Sequence, residues 1–106
     1  MAAVQTPFGM QAHKVGASQT NSPFSGQGAG TGAQGDLLHE ILVQVSTAAT
    51  SQVSLYDGVN LVGVIVPSNT PIGPYYLQFD MLSTSGAWNV TTGAGVSCIG
   101  YGIFSY

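Results

Sequence analysis

The side chains able to titrate near neutrality, ligate a metal or attack a carbonyl are few: His13, Lys14, Asp36, His39, Glu40, Asp57, Asp80 and Cys98. Catalysis by acid, base or nucleophile needs two or three such groups to converge. His39 and Glu40 are neighbours on an alternating stretch, so their side chains point to opposite faces and cannot act as a pair. Cys98 and His39 could form a thiol–imidazole pair only by meeting in space, and no motif flanks either one. Asp36, Asp57 and Asp80 lie at or near the ends of apolar runs, where carboxylates could gather around Ca²⁺, but no dense D-x-D-x-D loop is present. Asp57 is more simply a turn former, and Asp36 the start of a strand. Gly30-Thr31-Gly32-Ala33-Gln34-Gly35 matches G-x-G-x-x-G by letter, yet a phosphate cradle requires a strand before it and a helix after it. Here a glycine tract precedes and a strand pattern follows, so this is a linker. Tyr75, Tyr76 and Trp88 could stack on a sugar, although no cluster of polar partners accompanies them. Asn89-Val90-Thr91 is a glycosylation sequon, without meaning unless the chain is secreted. The expectation is no enzyme: no catalytic residue, no cofactor and no metal.

The elements that would position these residues start at the hairpin signal Val53-Ser54-Leu55-Tyr56-Asp57-Gly58-Val59-Asn60-Leu61-Val62-Gly63-Val64-Ile65-Val66. Two β-branched apolar runs there flank an Asp-Gly pair. Before it, Leu37 to Ser46 alternates, with Leu37, His39, Ile41, Val43 and Val45 on one face. After it, Pro67, Pro71, Gly73 and Pro74 mark a loop that cannot continue a ladder. Tyr75, Leu77, Phe79 and Met81 then alternate with polar residues, a turn at 83–86 leads to Ala87–Thr92, and 93–95 leads to Val96–Tyr106. Residues 36–106 therefore read as an all-β body, a small jelly roll or β-sandwich of six to seven antiparallel strands. Its expected core is Ile41, Val43, Val45, Val53, Leu55, Val64, Leu77, Phe79, Val90 and Ile99. Gly100 and Gly102, inside the last strand, indicate a bulge or a close backbone approach.

Residues 1–35 differ in kind. They are rich in Gly, Ala and Gln and carry no apolar period, so alone they cannot offset their ordering entropy. They read as an extended N-terminal arm that another chain must hold. Thr6-Pro7-Phe8-Gly9 and Ser22-Pro23-Phe24-Ser25 each set a proline-fixed backbone beside a phenylalanine. Phe8 and Phe24, with Pro7 and Pro23, are the expected pegs in partner pockets.

Charge is scarce. Charged residues make up 5% of the chain, with one Lys or Arg in all and a net charge of −3, against about 25% charged residues in ordinary soluble domains. Nucleic-acid affinity rests on clustered cations that release counterions, so a single lysine excludes that class, and a polybasic membrane anchor with it. One cysteine forbids an intrachain disulfide, and Cys98 reads as a small buried hydrophobe. No basic, then apolar, leader pattern and no apolar run of membrane-spanning length is visible; synthesis in a cytoplasm is expected. A body this small gains from oligomerisation or docking, and an uncharged surface is cheap to desolvate in an assembly.

The order "LLHEILVQVSTAATSQVSLYDG", "GVIVP", "GPYYLQFDM", "GAWNVTTGAGVSCIGY" resembles small β-proteins encoded among tailed-bacteriophage virion genes, the head decoration (cement) proteins and related minor structural proteins. The resemblance covers residues 36–106 and lies in strand and turn types. It implies a jelly-roll or sandwich body, often trimeric, on the outside of a capsid, and brings no catalytic residues. The function expected is a capsid decoration protein, assembled in the host cytoplasm onto the virion exterior, that clamps neighbouring major capsid (coat) subunits as a homotrimer. Lys14, Tyr75 and Trp88 complete the expected contact set. The alternatives are a tail, neck or fibre component of a virion, or a carbohydrate-binding β-module.

Overall fold

The computed structural model describes residues 4–5, 11–24, 34–47 and 51–104. They form nine strands and no helix: β1 (Val4–Gln5), β2 (Gln11–Val15), β3 (Ser22–Pro23), β4 (Leu37–Val45), β5 (Val53–Asp57), β6 (Asn60–Val66), β7 (Gly73–Leu82), β8 (Trp88–Thr91) and β9 (Val96–Ile103). One sheet has the order β1-β2-β9-β4-β7, the other β3-β8-β5-β6. The β5–β6 hairpin turns at Gly58, whose φ of +61° is one that glycine adopts without cost. From that turn outward the chain pairs with itself antiparallel in nested fashion, β5 with β6, β4 with β7, β3 with β8 and β2 with β9. The pairs β4–β9 and β5–β8 join these into two sheets. This is the strand order of a jelly roll: one long antiparallel ribbon wrapped around its own core.

The corners between sheets stay paired as well. Residues 16–21 lie along 91–93 through Ser18 N–H to Gly93 O (3.0 Å) and Thr92 N–H to Gln19 O (2.8 Å). The Thr92 hydroxyl also donates to Gly16 O (2.7 Å). The entry to β4 is held by Gly35 N–H to Ser83 O and Ser83 N–H to Asp36 O, both 2.9 Å. Backbone polar groups at these bends are thereby satisfied without a ladder.

This arrangement corrects the reading of 1–35 as an arm reaching to another chain, as far as its described residues go. Gln11–Val15 pairs along β9 from Gly102 to Cys98, and Ser22–Pro23 pairs with β8 at the edge of its sheet, where proline is tolerated. Phe24 is not a peg for a partner. It is 1% exposed in the core, its N–H donates to Trp88 O (2.9 Å), and its ring packs 5.8 Å from that of Phe104. Gly100 makes room for it, since a Cβ there would lie 2.7 Å from the Phe24 ring. The close approach expected at Gly100 is thus the approach of Phe24. Pro7 and Phe8 lie outside the described residues.

Register shifts in β4 and β6 move the expected core. Between Leu38 and Glu40 the register shifts against both β7 and β9, so Leu38 is fully buried and the strict alternation through Leu37 and His39 breaks. In β6 the register shifts twice against β5, and Val64, expected inside, is 49% exposed. Ile41, Val43, Val45, Val53, Leu55 and Val90 are buried, while Leu77 and Phe79 are half-buried at the margin of the core. Ile99 faces outward and is half-buried.

Phe24→Ala is expected to lower stability by about 3–5 kcal/mol, the cost of emptying a buried phenylalanine site, whereas the exposed Lys14→Ala should change it by less than ~0.5 kcal/mol. Gly100→Ala should cost about 1–3 kcal/mol by overpacking and be less than additive with Phe24→Leu, because the two share one space. Urea unfolding midpoints check this. A neutral Phe24→Ala would return the segment to the role of a loose arm.

Candidate functional site: the outer face of the sandwich

The groups that could do chemistry are mostly tied up in structure. The Asp57 carboxylate accepts from the Thr84 N–H (3.0 Å), the Thr84 hydroxyl (2.8 Å) and the Ser85 N–H (3.0 Å). Burial pushes this carboxyl up, and the donors from Thr84, Ser85 and Gly86 outweigh it, leaving the group below its ordinary value. Gly58 closes against the same loop, where a Cβ would sit 2.9 Å from the Ser85 carbonyl carbon. The Asp57-Gly58 turn is therefore clasped to the β7–β8 connection. Cys98 is buried opposite Val43, and burial pushes its thiol up to about 12, which keeps the nucleophilic thiolate unpopulated at neutral pH. It also lies four residues along the β4 register from His39, about 13 Å in a strand, so the two do not pair. His13 is buried edge-on to Phe24, with ring centroids 6.2 Å apart.

One pairing was missed by sequence reasoning. His39 Nδ1 and the Asp80 carboxylate share a hydrogen bond on the surface. It sits where β4 and β7 shift register, and Asp80 has a φ of +50°. Only the bulge brings these residues together, and alternation does not reveal a bulge. Among the described residues no group of three or more His, Cys, Asp or Glu is placed to hold a metal ion.

The aromatic trio does not form a platform. Trp88 is a core residue, 2% exposed, with its indole N–H donated to Asp36 O (2.9 Å), which removes it from the expected contact set. Tyr75 is half-buried, its hydroxyl donating to Pro71 O (2.7 Å), and Tyr76 projects from the opposite face. Asn89 is fully buried, donating to Gly58 O and Ala87 O, so the sequon is sealed. Lys14 is exposed on β2, and Pro23 is half-buried on β3.

What remains accessible is mixed: the outer face of the β2-β9-β4-β7 sheet sets apolar rows beside Lys14, His39, Glu40 and Asp80. On the outer face of the β2-β9-β4-β7 sheet, the ladder aligns Lys14, Ile99, Leu42 and Tyr76 in one row and Ile103, Leu37 and Leu82 in another; Tyr76, Leu82 and Ile103 are exposed. At the side where β6 and β7 end the two sheets, a cleft of about 100 Å³ is lined by Ile65, Val66, Pro67, Thr70, Tyr75 and Leu77. Along β6 and in the turn before it, Leu61, Val62, Val64 and Val59 are exposed. The sequence held a signal for this: β6 is apolar at consecutive positions, more than a strand with one buried face requires. Such surfaces can bind by desolvation and shape. No protein-family model, curated protein or solved structure matches the chain.

Stability should fall in acid in two stages. Burial holds the His13 imidazole below its ordinary value of 6.5, opposed in part by a hydrogen bond with the Phe24 backbone. The unfolded chain therefore takes up that proton first, and the stabilisation present above pH 6.5 is lost as pH drops below it and through the folded value. Asp57, depressed from 3.8, adds a second loss that begins near pH 3.8 and ends below its folded value. In urea titrations from pH 8 to pH 3, His13→Gln should flatten the first stage. Asp57→Asn should flatten the second at a cost of about 1–3 kcal/mol near neutrality.

Proposed function

We propose that this chain is a bacteriophage virion structural protein, a capsid decoration (cement) protein that binds the outer capsid surface as an oligomer and bridges neighbouring coat subunits. The observation that carries the reading is the outer sheet face, where Ile99, Leu42 and Tyr76 and then Ile103, Leu37 and Leu82 form apolar rows beside Lys14, Glu40 and Asp80. Patches of this kind mark association surfaces. The likeness of residues 36–106 to decoration proteins supplies the identity of the partner. Because Phe24 belongs to the core, the bridging contact comes from the face of the sandwich itself.

The mechanism is linkage. A protein that binds the assembled shell and not its dissociated subunits stabilises the shell by mass action. Several copies joined together add effective concentration to each contact.

The test is cosedimentation with capsids of the cognate coat protein. Saturable occupancy and a higher temperature of shell opening are expected for the wild type, with both lost in Tyr76→Asp/Leu82→Asp. Absence of wild-type protein from capsids, with recovery on tails or necks, would transfer the chain to that part of the particle.

A further inference from the structure

We propose that His13 is an acid-sensitive latch: a proton on its imidazole releases residues 11–24 as one unit from the edges of both sheets, while the strands from β4 to β9 stay paired. The proposal is independent of the outer sheet face assigned to the coat protein.

The segment is placed to leave alone. β2 is bordered by β9 on one side and by the two-residue β1 on the other, and β3 pairs only with β8 at the margin of its sheet. Of the fourteen residues in the buried apolar cluster the segment supplies two, Val15 and Phe24. Without it, β9-β4-β7 and β8-β5-β6 remain as two three-stranded sheets. A unit with so few buried apolar contacts opens at a lower cost than the whole fold.

His13 fastens the part of the segment on one sheet to the part on the other. It is buried on β2 opposite Gly100, and its imidazole is hydrogen-bonded to the backbone of Phe24, just past β3. The two rings meet edge-on, and the Phe24 ring packs in turn on Phe104. Gln11, on the same face of β2, accepts the Phe104 N–H (2.9 Å). Loosening His13 therefore loosens the whole segment.

No negative charge faces this imidazole among the described residues. From β9 it meets Gly100 and, one rung along, Cys98, whose thiol burial keeps neutral up to about 12. Lys14 and Tyr101 point to the outer face, and β1 and β3 carry no titratable side chain. Asp36 lies beyond the Leu37–Ile103 rung, itself three residues, or about 10 Å, along β9 from Gly100. The amino terminus acts on the imidazole with like charge. Burial thus outweighs the Phe24 hydrogen bond, which favours the charged form, and holds the group below its ordinary 6.5. The closed segment is fully favoured above pH 6.5. Its advantage is lost as pH falls from there through the folded value, with the open population rising at most about tenfold per pH unit for one proton.

Lys14 is the one Lys or Arg in the chain, so trypsin cuts the full chain at a single bond, inside β2. Cleavage rates from pH 8 to pH 5.5, each relative to a free peptide spanning residues 11–18, report opening of the segment. Hydrogen-exchange protection of the β4 amides reports opening of the rest. Wild-type cleavage is expected to rise severalfold over this range while β4 stays protected. His13→Gln should abolish the rise, and His39→Gln should leave it intact. Should the His13 variant fail to fold, the imidazole C–H resonances of wild-type His13 keep the test open, since a titration midpoint at or above 6.5 would overturn the proposal. So would cleavage independent of pH, a rise that survives in His13→Gln, or β4 amides that open in step with the Lys14 bond.

Discussion

The strands from β2 to β9 depend on one constraint: each strand from β2 to β5 pairs with the strand equally far beyond the Asp57-Gly58 turn. Of these pairs only β5–β6 closes locally. β4–β7, β3–β8 and β2–β9 enclose progressively longer loops, and each closure costs chain entropy before its contacts form. The turn fixes which residues face each other in all of them. A slip of one residue there would carry Val53 and Leu55 from core to solvent and misalign the strands outward from it. The clasp of Asp57 on Thr84 and Ser85 is therefore more than a turn stabiliser. It ties the fold point of the ribbon to the β7–β8 corner, so the first hairpin and the second sheet are positioned by one carboxylate.

The same constraint explains what could be read from the sequence. The hairpin, the proline loop and the strands of 36–106 were legible because each carries its own apolar run and turn chemistry. Residues 11–24 were not. Their apolar content reduces to little more than Val15 and Phe24, and the burial that orders them is supplied by β9, β8 and Phe104 from the other end of the chain. A composition argument sees a segment alone and cannot see a cavity waiting for it. Gly100 was the trace of that cavity: a glycine within a strand implies something close above it, though not which residue.

Bulges account for most of the remaining differences, in the core and in the site alike. The shift at His39 turns Leu38 inward, ends a tidy alternation and brings His39 to Asp80. The two shifts in β6 turn Val64 out and, with Leu61 and Val62, make an apolar strand face solvent. A bulge adds a residue without changing composition, so it leaves no mark in a pattern of period two. The chemical candidates were easier to judge, since a scarcity of titratable side chains is visible in any sequence. Their actual employment, Asp57 as a clasp and Cys98 and Trp88 as core, required the fold.

Scarcity of charge then has a structural meaning. An exposed sheet edge is ordinarily defended by lysine, proline or an inward charge. β6 carries neither charge nor proline. Its register shifts twice against β5, and a bulged edge breaks the row of free backbone donors and acceptors that would template a further strand. A ladder edge recruits any strand, because backbone groups are the same in every protein. The double bulge therefore guards this edge by geometry, with no charged residue at all.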